Sequence, residues 1–412
     1  MIAPDTDYDV LVVGGGMVGS LLCASLAQLS QSSRHPLRVG LLEDRLPDAF
    51  EPGTDPPYDL RVSALSIASE NMLRNVGAWA GITSRRACIY QRLSVWDGKQ
   101  SGRTDFNAAD SEASHLGHIV ENRVIQLSLL DALRAYPNVT IVSPARLNSL
   151  RVLHDKVLVK TNHEMDISAR LLVGADGANS VVRRESGVVM QKVAYPQHAL
   201  VANIKTDLKQ QDITWQRFLP SGPQAMLPLC GSRASIVWYH DEAEIARLSS
   251  LDDAAFKAEL QHSFPSLLGG VNNVQARAAF PIAKAHASTY TAPRTALVGD
   301  AAHTVHPLAG QGVNIGMLDA GALADVIINA HSKGRSIADQ SVLRRYQRAR
   351  YFDNQLMITA LDSLYEAFKA QPGVVREARS ASLNMVNRIS PLKTHIMRRA
   401  MGVEGELPSL AK

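Results

Sequence analysis

A glycine-rich turn near the amino terminus, Gly14-Gly15-Gly16-Met17-Val18-Gly19, limits the folds open to this chain more than any other segment. The apolar run 9–13 before it is typical of a buried parallel strand, and residues 17–29 after it predict a helix. In the G-x-G-x-x-G pattern, Gly14 permits the tight turn and Gly16 lets a pyrophosphate approach the backbone. Gly19 lets the helix pack closely on the strand, and the helix N-terminus offers free N–H groups to phosphates. The segment therefore predicts a Rossmann-type dinucleotide site.

An acidic residue follows these glycines at a suitable distance. Residues 39–43 predict a second buried strand, which ends at Glu43, 24 residues after Gly19 (43 − 19). We expect its carboxylate to accept hydrogen bonds from the ribose hydroxyls of an adenosine. A glycine turn without a nucleotide is the alternative, but the strand, the helix and the acid all favour the nucleotide.

The uncharged stretch 10–33 raises a second alternative, because its length would suit a membrane span. The glycines inside it and the polar residues Ser25, Gln28, Ser30 and Gln31 in its second half argue against that interpretation. A strand, a glycine turn and a helix remain the better prediction.

Two later segments favour FAD over NAD as the dinucleotide. Residues 170–176 and 296–300 each predict a strand that ends in a turn, with Asp176 and Asp300 at the strand ends. A carboxylate at a strand end can hold a hydroxyl chain such as the ribityl of FAD. Residues 307–314 then lead into a helix, where exposed N–H groups can stabilise negative charge on a reduced flavin.

The middle and the end of the chain predict the remaining architecture. Four short segments, 200–204, 215–219, 225–229 and 234–239, predict strands of an antiparallel sheet, whereas residues after 312 predict helices. A helix is also predicted from about residue 60 towards Val76. The expected fold class is α/β: a Rossmann-type FAD-binding domain (1–185 and 280–335), an inserted antiparallel-sheet substrate domain (186–279) and a helical C-terminal region (336–412).

Composition and single residues exclude several functions. A net charge of +4 gives no indication of nucleic-acid binding. Three scattered cysteines show no disulfide framework, so a reducing cytoplasm fits. His303 and His306 lack an accompanying carboxylate or cysteine cluster, so no metal site is predicted. Four aromatic residues either line a substrate pocket or fill the sheet core: Trp215, Phe218, Trp238 and Tyr239.

The dinucleotide fingerprint, the segment GADGANS (174–180) and the segment LVGDAAHTVHPLAGQGVN (297–314) occur in the order typical of the class A flavoprotein monooxygenases, which the chain resembles. The segment DLRVSALS, which contains Arg61, is similar too. Within this group HLGHIVENRVIQ, SIVWYH and GDAAHTVHPLAGQGVNIGMLDA look most like the ubiquinone-biosynthesis hydroxylases, and the resemblance covers nearly the whole chain.

The resemblance implies a role for each matching position. The ADP half of FAD is assigned to Gly14, Gly16, Gly19 and Glu43. Its pyrophosphate, adenosine and ribityl parts are assigned to Arg61, Gln126 and Asp300. The segment from Asp176 to Arg183 would serve FAD and the pyridine nucleotide. The residues expected beside the isoalloxazine ring are Pro307, Gly310, Gln311, Gly312, Val313 and Asn314. No catalytic side chain is assigned, because the chemistry occurs at the flavin C4a position.

The same resemblance implies the reaction. NAD(P)H would reduce FAD, and one oxygen atom from O2 would enter the ring of a polyprenylated phenol or quinol. Residues 60–73, 114–122 and 198–204 look most like hydroxylases that act at ring carbon 5, which is the preferred prediction. Residues 215–229 are similar to a hydroxylase that acts later, on a methylated and methoxylated ring. A non-catalytic FAD-binding subunit of a quinone-pathway complex and an oxygen-independent flavin dehydrogenase are the rivals.

The C-terminal region bears on location and partners. Residues 376–399 contain six Lys or Arg and one Glu, a net charge of +5 (6 − 1), with apolar residues near helical spacing. This segment either caps the FAD-binding domain, touches an anionic membrane weakly and reversibly, or docks other enzymes of the pathway. The expected location is cytoplasmic, peripheral at the inner face of the membrane.

Overall fold

The fold is described from a computed structural model. It describes residues 6–50, 56–98, 102–265, 269–307, 310–369 and 373–412. The strands, in chain order, are β1 (Tyr8–Val13), β2 (Val39–Leu42), β3 (Val62–Leu65), β4 (Cys88–Tyr90), β5 (Arg92–Asp97), β6 (Arg103–Asn107), β7 (Gly117–Glu121), β8 (Val139–Val142), β9 (Leu147–Val152), β10 (Val157–Thr161), β11 (Asp166–Gly174), β12 (Met190–Thr206), β13 (Ile213–Leu219), β14 (Gly222–Leu229), β15 (Arg233–Asp241), β16 (Val271–Ala287), β17 (Thr291–Ala292), β18 (Thr295–Leu297) and β19 (His303–Thr304).

The helices complete the chain. In order they are α1 (Met17–Ser30), α2 (Ile67–Asn75), α3 (Trp79–Arg85), α4 (Asn122–Leu133), α5 (Val181–Glu185), α6 (Glu242–Ser250), α7 (Asp253–Ser263), α8 (Gly312–Ser332), α9 (Gln340–Phe368), α10 (Gly373–Arg388) and α11 (Ser390–Ala400). Short 3-10 turns are formed by Ala108–Ser111, Gly299–Ala301 and Ser409–Ala411.

The first sheet has the parallel centre that the glycine turn predicts. Its order is β17-β18-β11-β1-β2-β8, and β10 and β9 extend it from β11. β1 pairs in parallel with β11 and β2, and Val10, Leu11 and Val12 are fully buried. Helix α8 packs so closely on α1 that a Cβ on Gly316 would lie 2.8 Å from Val18. Stretch 10–33 is therefore strand, turn and helix, as predicted.

The second sheet confirms the antiparallel prediction and is larger than predicted. Its order is β19-β16-β12-β15-β14-β13-β5-β6, and the pairs from β19 to β13 are antiparallel. The prediction missed β16 and the helices α6 and α7. The two faces of this sheet separate the aromatic residues: Trp215 and Trp238 pack among α6 and α7, while Phe218 and Tyr239 lie on the opposite face, towards α8 and α9.

A three-stranded sheet, β3-β7-β4, corrects one local prediction. The helix expected from about residue 60 begins only at Ile67, because residues 62–65 form β3 and pair with β7. Ser66 follows the strand and caps the helix, since its side chain accepts from the backbone N–H of Ser69. The cap at Ser66 therefore sets the residue at which α2 begins.

The predicted domain boundaries do not follow the sheets at two points. Strands β5 and β6 lie within the predicted FAD-binding segment 1–185 but pair in the second sheet. The boundary between 279 and 280 falls inside β16, which is continuous from Val271 to Ala287. The division into four segments stays a prediction.

Among the described residues, one helix, α8, is long and apolar enough to cross a membrane, and 61% of its most apolar window is buried inside the protein. It packs against the first sheet through Met317, Leu323 and Ile327. The helix therefore has the surroundings of a core helix.

A buried carboxylate in α8 links four segments. Asp319 is fully buried and accepts from the Arg350 Nε at 2.9 Å and from the Asn354 Nδ2 at 2.9 Å, both on α9. It also bonds to the His303 Nε2 and to the backbone N–H of Gly299. Although burial alone raises it, the charges of His303 and Arg350 lower the pKa of Asp319 to about 2. The carboxylate is thus ionised at neutral pH and fixes the turn at Gly299 to both helices.

We predict that Asp319→Asn lowers the free energy of unfolding by about 3–5 kcal/mol, because it leaves the buried Arg350 without its anion. Asp353→Asn is the control, since Asp353 contacts the same guanidinium at 3.4 Å but is half exposed. This control should cost less than about 1 kcal/mol. Urea unfolding followed by circular dichroism measures both values. Equal losses in the two variants would contradict the role given to Asp319.

Candidate active site

The glycine turn is so tightly packed that two of its positions require glycine. Gly14 has a φ of +104°, and a Cβ there would lie 2.4 Å from the carbonyl oxygen of Ala175. A Cβ on Gly19 would lie 1.9 Å from the carbonyl oxygen of Gly14. The turn therefore brings the start of α1 against the end of β11, so the first and second predicted segments meet.

Gly16 faces open space instead. A Cβ on Gly16 would meet nothing within 4 Å, and the φ of this residue, −66°, would accept any side chain. Gly16 precedes α1, whose first turn has neither a side-chain cap nor an acidic residue. Free N–H groups at a helix N-terminus beside open space are the features that a pyrophosphate requires.

Glu43 and Gln126 converge on the same turn. The backbone N–H of Gly15 donates to the Glu43 Oε2, and the Glu43 Oε1 accepts from the backbone N–H of Arg45 at 3.0 Å. The Gln126 Nε2 donates to the carbonyl oxygen of Gly15 at 2.7 Å. Both side chains thus brace the glycine turn. Their contacts with the adenosine stay a prediction.

Asp300 and Arg61 lie close enough for their charges to interact. The structure corrects the position of Asp300: β18 ends at Leu297, and Asp300 lies in the turn Gly299–Ala301, because Gly299 adopts a φ of +59°. Its side chain is exposed, yet the burial around it raises the pKa of the carboxyl, and the charges of His303 and Arg61 lower it. The carboxylate is thus accessible although protein atoms surround it. Arg61 is exposed as well.

The side chain of Asp176 is already used by the protein. Its carboxylate accepts from the Ser180 hydroxyl and from the backbone N–H groups of Val181 and Val182, which begin α5. Arg183 donates to the carbonyl oxygen of Ala301 at 2.9 Å and so joins the second predicted segment to the third. The assignment of Asp176 to FAD stays a prediction, and its hydrogen bonds indicate a supporting role.

Asn314 is likewise engaged. Its Oδ1 accepts from the backbone N–H of Ser66 and the hydroxyl of Ser69, and its Nδ2 donates to the carbonyl oxygens of Ala64 and Gly310. The amide therefore fixes the start of α8 to β3 and α2.

The other residues expected beside the flavin ring surround this helix start. Pro307 is exposed, Gly310 has a φ of +60°, and Gln311 precedes α8. Gly312 and Val313 are its first residues and are partly buried. Leu308 and Ala309 lie outside the described residues. The flavin contacts of this segment stay a prediction.

One cluster of metal-ligating type occurs in the described part of the chain. Ligand atoms of Glu70, His115 and His118 lie within 4.8 Å of one another. Arg74 also donates to the Glu70 Oε1 at 2.6 Å. Burial opposes ionisation of Glu70, but the two histidines and Arg74 lower the pKa of its carboxyl strongly. The carboxylate is thus balanced by protein donors, and the cluster holds α2 against β7.

Comparison with known proteins identifies the family. The family described as "FAD binding domain" matches residues 7–359. The chain is 39% identical to the 3-demethoxyubiquinol 3-hydroxylase of Escherichia coli K12, over 96% of this chain and 98% of that protein. It is 34% identical to a ubiquinone hydroxylase of Rhodospirillum rubrum, over 97% of this chain and 90% of that protein.

The chain is a class A flavoprotein monooxygenase of the ubiquinone-biosynthesis branch. Its fold agrees: p-nitrophenol 4-monooxygenase from Pseudomonas putida superposes with a TM-score of 0.77 at 20% identity, over 97% of this chain and 99% of that one. The predicted family, fold class and cofactors are confirmed. The hydroxylase uses FAD, with NAD(P)H and O2 as co-substrates.

His306 is a residue of this hydroxylase that the sequence analysis considered only as a metal ligand. It is 1% exposed and lies among the rings of Tyr195, Tyr239 and Tyr365, directly before the segment expected at the flavin. Burial lowers the pKa of His306 to about 4, so the imidazole is neutral at neutral pH. Within the described residues, neither of its ring nitrogens has a hydrogen-bond partner. A buried polar group that the described residues leave unpaired calls for an explanation beyond packing.

We predict that Gly16→Ala separates folding from cofactor binding. The added methyl meets no protein atom within 4 Å, so thermal unfolding of the FAD-free variant should match that of the FAD-free parent protein. The methyl occupies the space assigned to the pyrophosphate, so we expect FAD to bind at least about tenfold more weakly, which is about 1.4 kcal/mol. Fluorescence titration with FAD measures this change. Unaltered FAD affinity would contradict the assignment of this space.

Proposed function

We propose that this hydroxylase acts on a polyprenylated quinol ring that still lacks one methoxy group. The proposal rests on the 39% identity, over nearly the whole length of both chains, with a protein named 3-demethoxyubiquinol 3-hydroxylase. The coarser function, an FAD-dependent hydroxylation in ubiquinone biosynthesis, belongs to the family. The ring position is the part that remains a proposal.

The positions in the fold of the segments that resemble one or the other hydroxylase support the demethoxylated ring as the substrate. Residues 215–229, which resemble the later-acting hydroxylase, form β13 and β14, and Phe218 on β13 packs in the aromatic cluster that contains Tyr195 and Tyr239. Residues 60–73 and 114–122, which resemble the carbon-5 hydroxylases, form β3, α2 and β7 and support the helix start at Asn314. Selectivity for a ring should depend on the residues that surround the ring more than on those that support the cofactor segment.

Carbon 5 of an earlier polyprenylphenol is the second candidate. Residues 198–204, the third segment with that resemblance, lie on β12, and Ala199 belongs to the same aromatic cluster. The preferred sequence prediction therefore retains one observation in its favour.

The protein's own task is to bind and enclose the reactants. The glycine turn and the Asp300 carboxylate would hold FAD, which supplies the chemistry that transfers one oxygen atom from O2 to the ring. The aromatic cluster around His306 would exclude water and hold the ring, and the neutral imidazole would pair with a ring hydroxyl. No side chain acts as a nucleophile in this account.

Mass spectrometry of quinone intermediates tests the ring position. A strain that lacks this gene should accumulate the demethoxylated intermediate, and the wild-type gene should remove it. Asp300→Ala is the matched control: losing hydrogen bonds to a charged acceptor costs about 1.5–3 kcal/mol, so FAD should bind about 10- to 100-fold more weakly and the intermediate should persist. Accumulation of a polyprenylphenol that lacks the carbon-5 hydroxyl would instead support the second candidate.

We propose further that the protein is cytoplasmic and touches the inner face of the membrane weakly and reversibly through α10 and α11. Four apolar side chains on these two helices and on the residue between them are 36–57% exposed: Met385, Ile389, Leu392 and Ile396. The basic charge is partly used inside the protein, because Lys393 pairs with Asp110 and Arg398 with Glu404. The side chains of Arg376 and Arg379 lie outside the described residues. Met397 is buried and supports the capping role of α11.

Co-sedimentation with liposomes tests this contact. Protein should sediment with anionic vesicles at low salt and much less with neutral vesicles or at high salt. The double variant Ile389→Ser and Ile396→Ser should lose binding, whereas Val189→Ser, at a side chain that is 65% exposed in the connection between α5 and β12, should keep it. Binding that ignores lipid charge, or none at all, would leave capping or docking to pathway enzymes as the role of these helices.

A further inference from the structure

Two half-buried cysteines that are 142 residues apart in the sequence (230 − 88) meet in the fold. Cys88 begins β4, the edge strand of the small sheet, and Cys230 is the first residue of the turn between β14 and β15. Both pack in one cluster with Tyr58, Ile119 and Leu229. We propose that Cys88 and Cys230 form a redox-active thiol pair, which hydrogen peroxide converts reversibly into a disulfide.

The two thiols lie in the same small cluster of side chains. The Cys230 Sγ lies 3.6 Å from the carbonyl oxygen of Ala87, the residue before Cys88. The Cys88 thiol also hydrogen-bonds to the Cys230 sulfur. A disulfide requires Cβ atoms about 3.5–4.5 Å apart, and the contact of Cys230 with the residue before Cys88 brings the two side chains into the same neighbourhood. The turn can supply any adjustment that the bond needs, because Cys230 is followed by Gly231, whose φ is +74°.

The surroundings divide the roles between the two thiols. The hydrogen bond from Cys88 and the positive charges of Arg86 and Arg233 lower the pKa of Cys230 to about 6, against the effect of burial. The same hydrogen bond and burial raise the pKa of Cys88. Because the thiolate is the nucleophile, Cys230 attacks the oxidant and Cys88 resolves the product.

The chemistry balances in two steps. The Cys230 thiolate attacks one oxygen of hydrogen peroxide, so an S–O bond forms, the O–O bond breaks and hydroxide leaves. The Cys88 sulfur, which gives up its proton, then attacks the Cys230 sulfur, so the S–S bond forms and the oxygen leaves as water. The hydroxide takes up the proton that Cys230 released on ionisation, so the thiols lose two electrons and the peroxide becomes two waters. Hydrogen peroxide is the two-electron reduction product of the O2 that the enzyme consumes.

The disulfide would fasten two parts of the fold that only touch in the reduced protein. It would join β4, the edge strand of the small sheet, to the hairpin β14–β15 of the second sheet. The small sheet also contains β3, which directly follows Arg61. The sequence showed no disulfide framework among the three cysteines. In the fold, two of them form a reduced pair that oxidation would convert into a disulfide. The proposal does not depend on the ring position or on the substrate.

Peptide mapping tests the pair in the FAD-loaded protein. Trypsin separates the cysteines, with Cys88 in residues 87–92, Cys230 in residues 218–233 and Cys23 in residues 1–34. After a small excess of hydrogen peroxide, alkylation and non-reducing digestion, we expect the first two peptides to be linked and to separate on reduction with dithiothreitol. Cys23 is the internal control, since it is fully buried and burial raises its pKa. Peptides that remain separate and fully alkylated would overturn the proposal.

Single variants test the roles of the two sulfurs. In Cys88→Ser, peroxide should leave Cys230 as a sulfenic acid that dimedone traps, whereas in Cys230→Ser it should leave Cys88 unreacted. The alkylation rate of Cys230 in the parent protein should rise through a half-maximum near pH 6 rather than near the ordinary thiol value of 9.0. Dimedone labelling of Cys88 in Cys230→Ser, or a half-maximum near the ordinary value, would show that Cys230 is not the attacking thiolate.

Discussion

The ion pair between Asp319 and Arg350 is the interaction on which the cofactor side of this protein depends. It lies in an apolar core, where a charge without a partner costs several kcal/mol. The carboxylate also holds His303 and the N–H of Gly299, so it fixes the turn that presents Asp300. Since α8 carries this carboxylate and packs against Val18 of α1, the same helix sets the distance between the Asp300 turn and the glycine turn. The two segments assigned to FAD are thereby held by one helix.

The second sheet uses its two faces for different purposes. Trp215 and Trp238 fill the core beneath α6 and α7, whereas Phe218 and Tyr239 face α8 and α9. Trp215 and Trp238 thus fill the sheet core, as one interpretation predicts, whereas a substrate-lining role for Phe218 and Tyr239 stays a prediction. The second face contains His306, whose neutral ring lies next to the segment expected at the flavin. Its two ring nitrogens, unpaired within the described part of the chain, are the polar atoms of this otherwise aromatic and apolar cluster to which the proposed function assigns a role.

The parts of the fold that local chemistry specifies could be predicted from the sequence. A side chain on Gly14 would clash with the neighbouring strand, and one on Gly19 would clash with Gly14 itself. Because these clashes are local, the spacing of the glycines is enough to predict the turn. The hydrogen bonds of Asn314 to β3, and the meeting of Cys88 with Cys230, depend on residues far apart in the chain, and no short pattern encodes them. Asp319 did leave a signal, since it interrupts an apolar helix with a charge. The strand β3 was mistaken for a helix because residues 62–65 acquire their form only by pairing with β7.

The source of the oxygen atom in the product tests the central claim most directly. FAD-loaded protein would be incubated with NAD(P)H and a polyprenylated quinol under an atmosphere of ¹⁸O₂, and the product would be analysed by mass spectrometry. The account predicts that the new ring hydroxyl carries ¹⁸O and that no product forms without O2. A new ring hydroxyl that lacks ¹⁸O, or turnover that proceeds without O2, would contradict it.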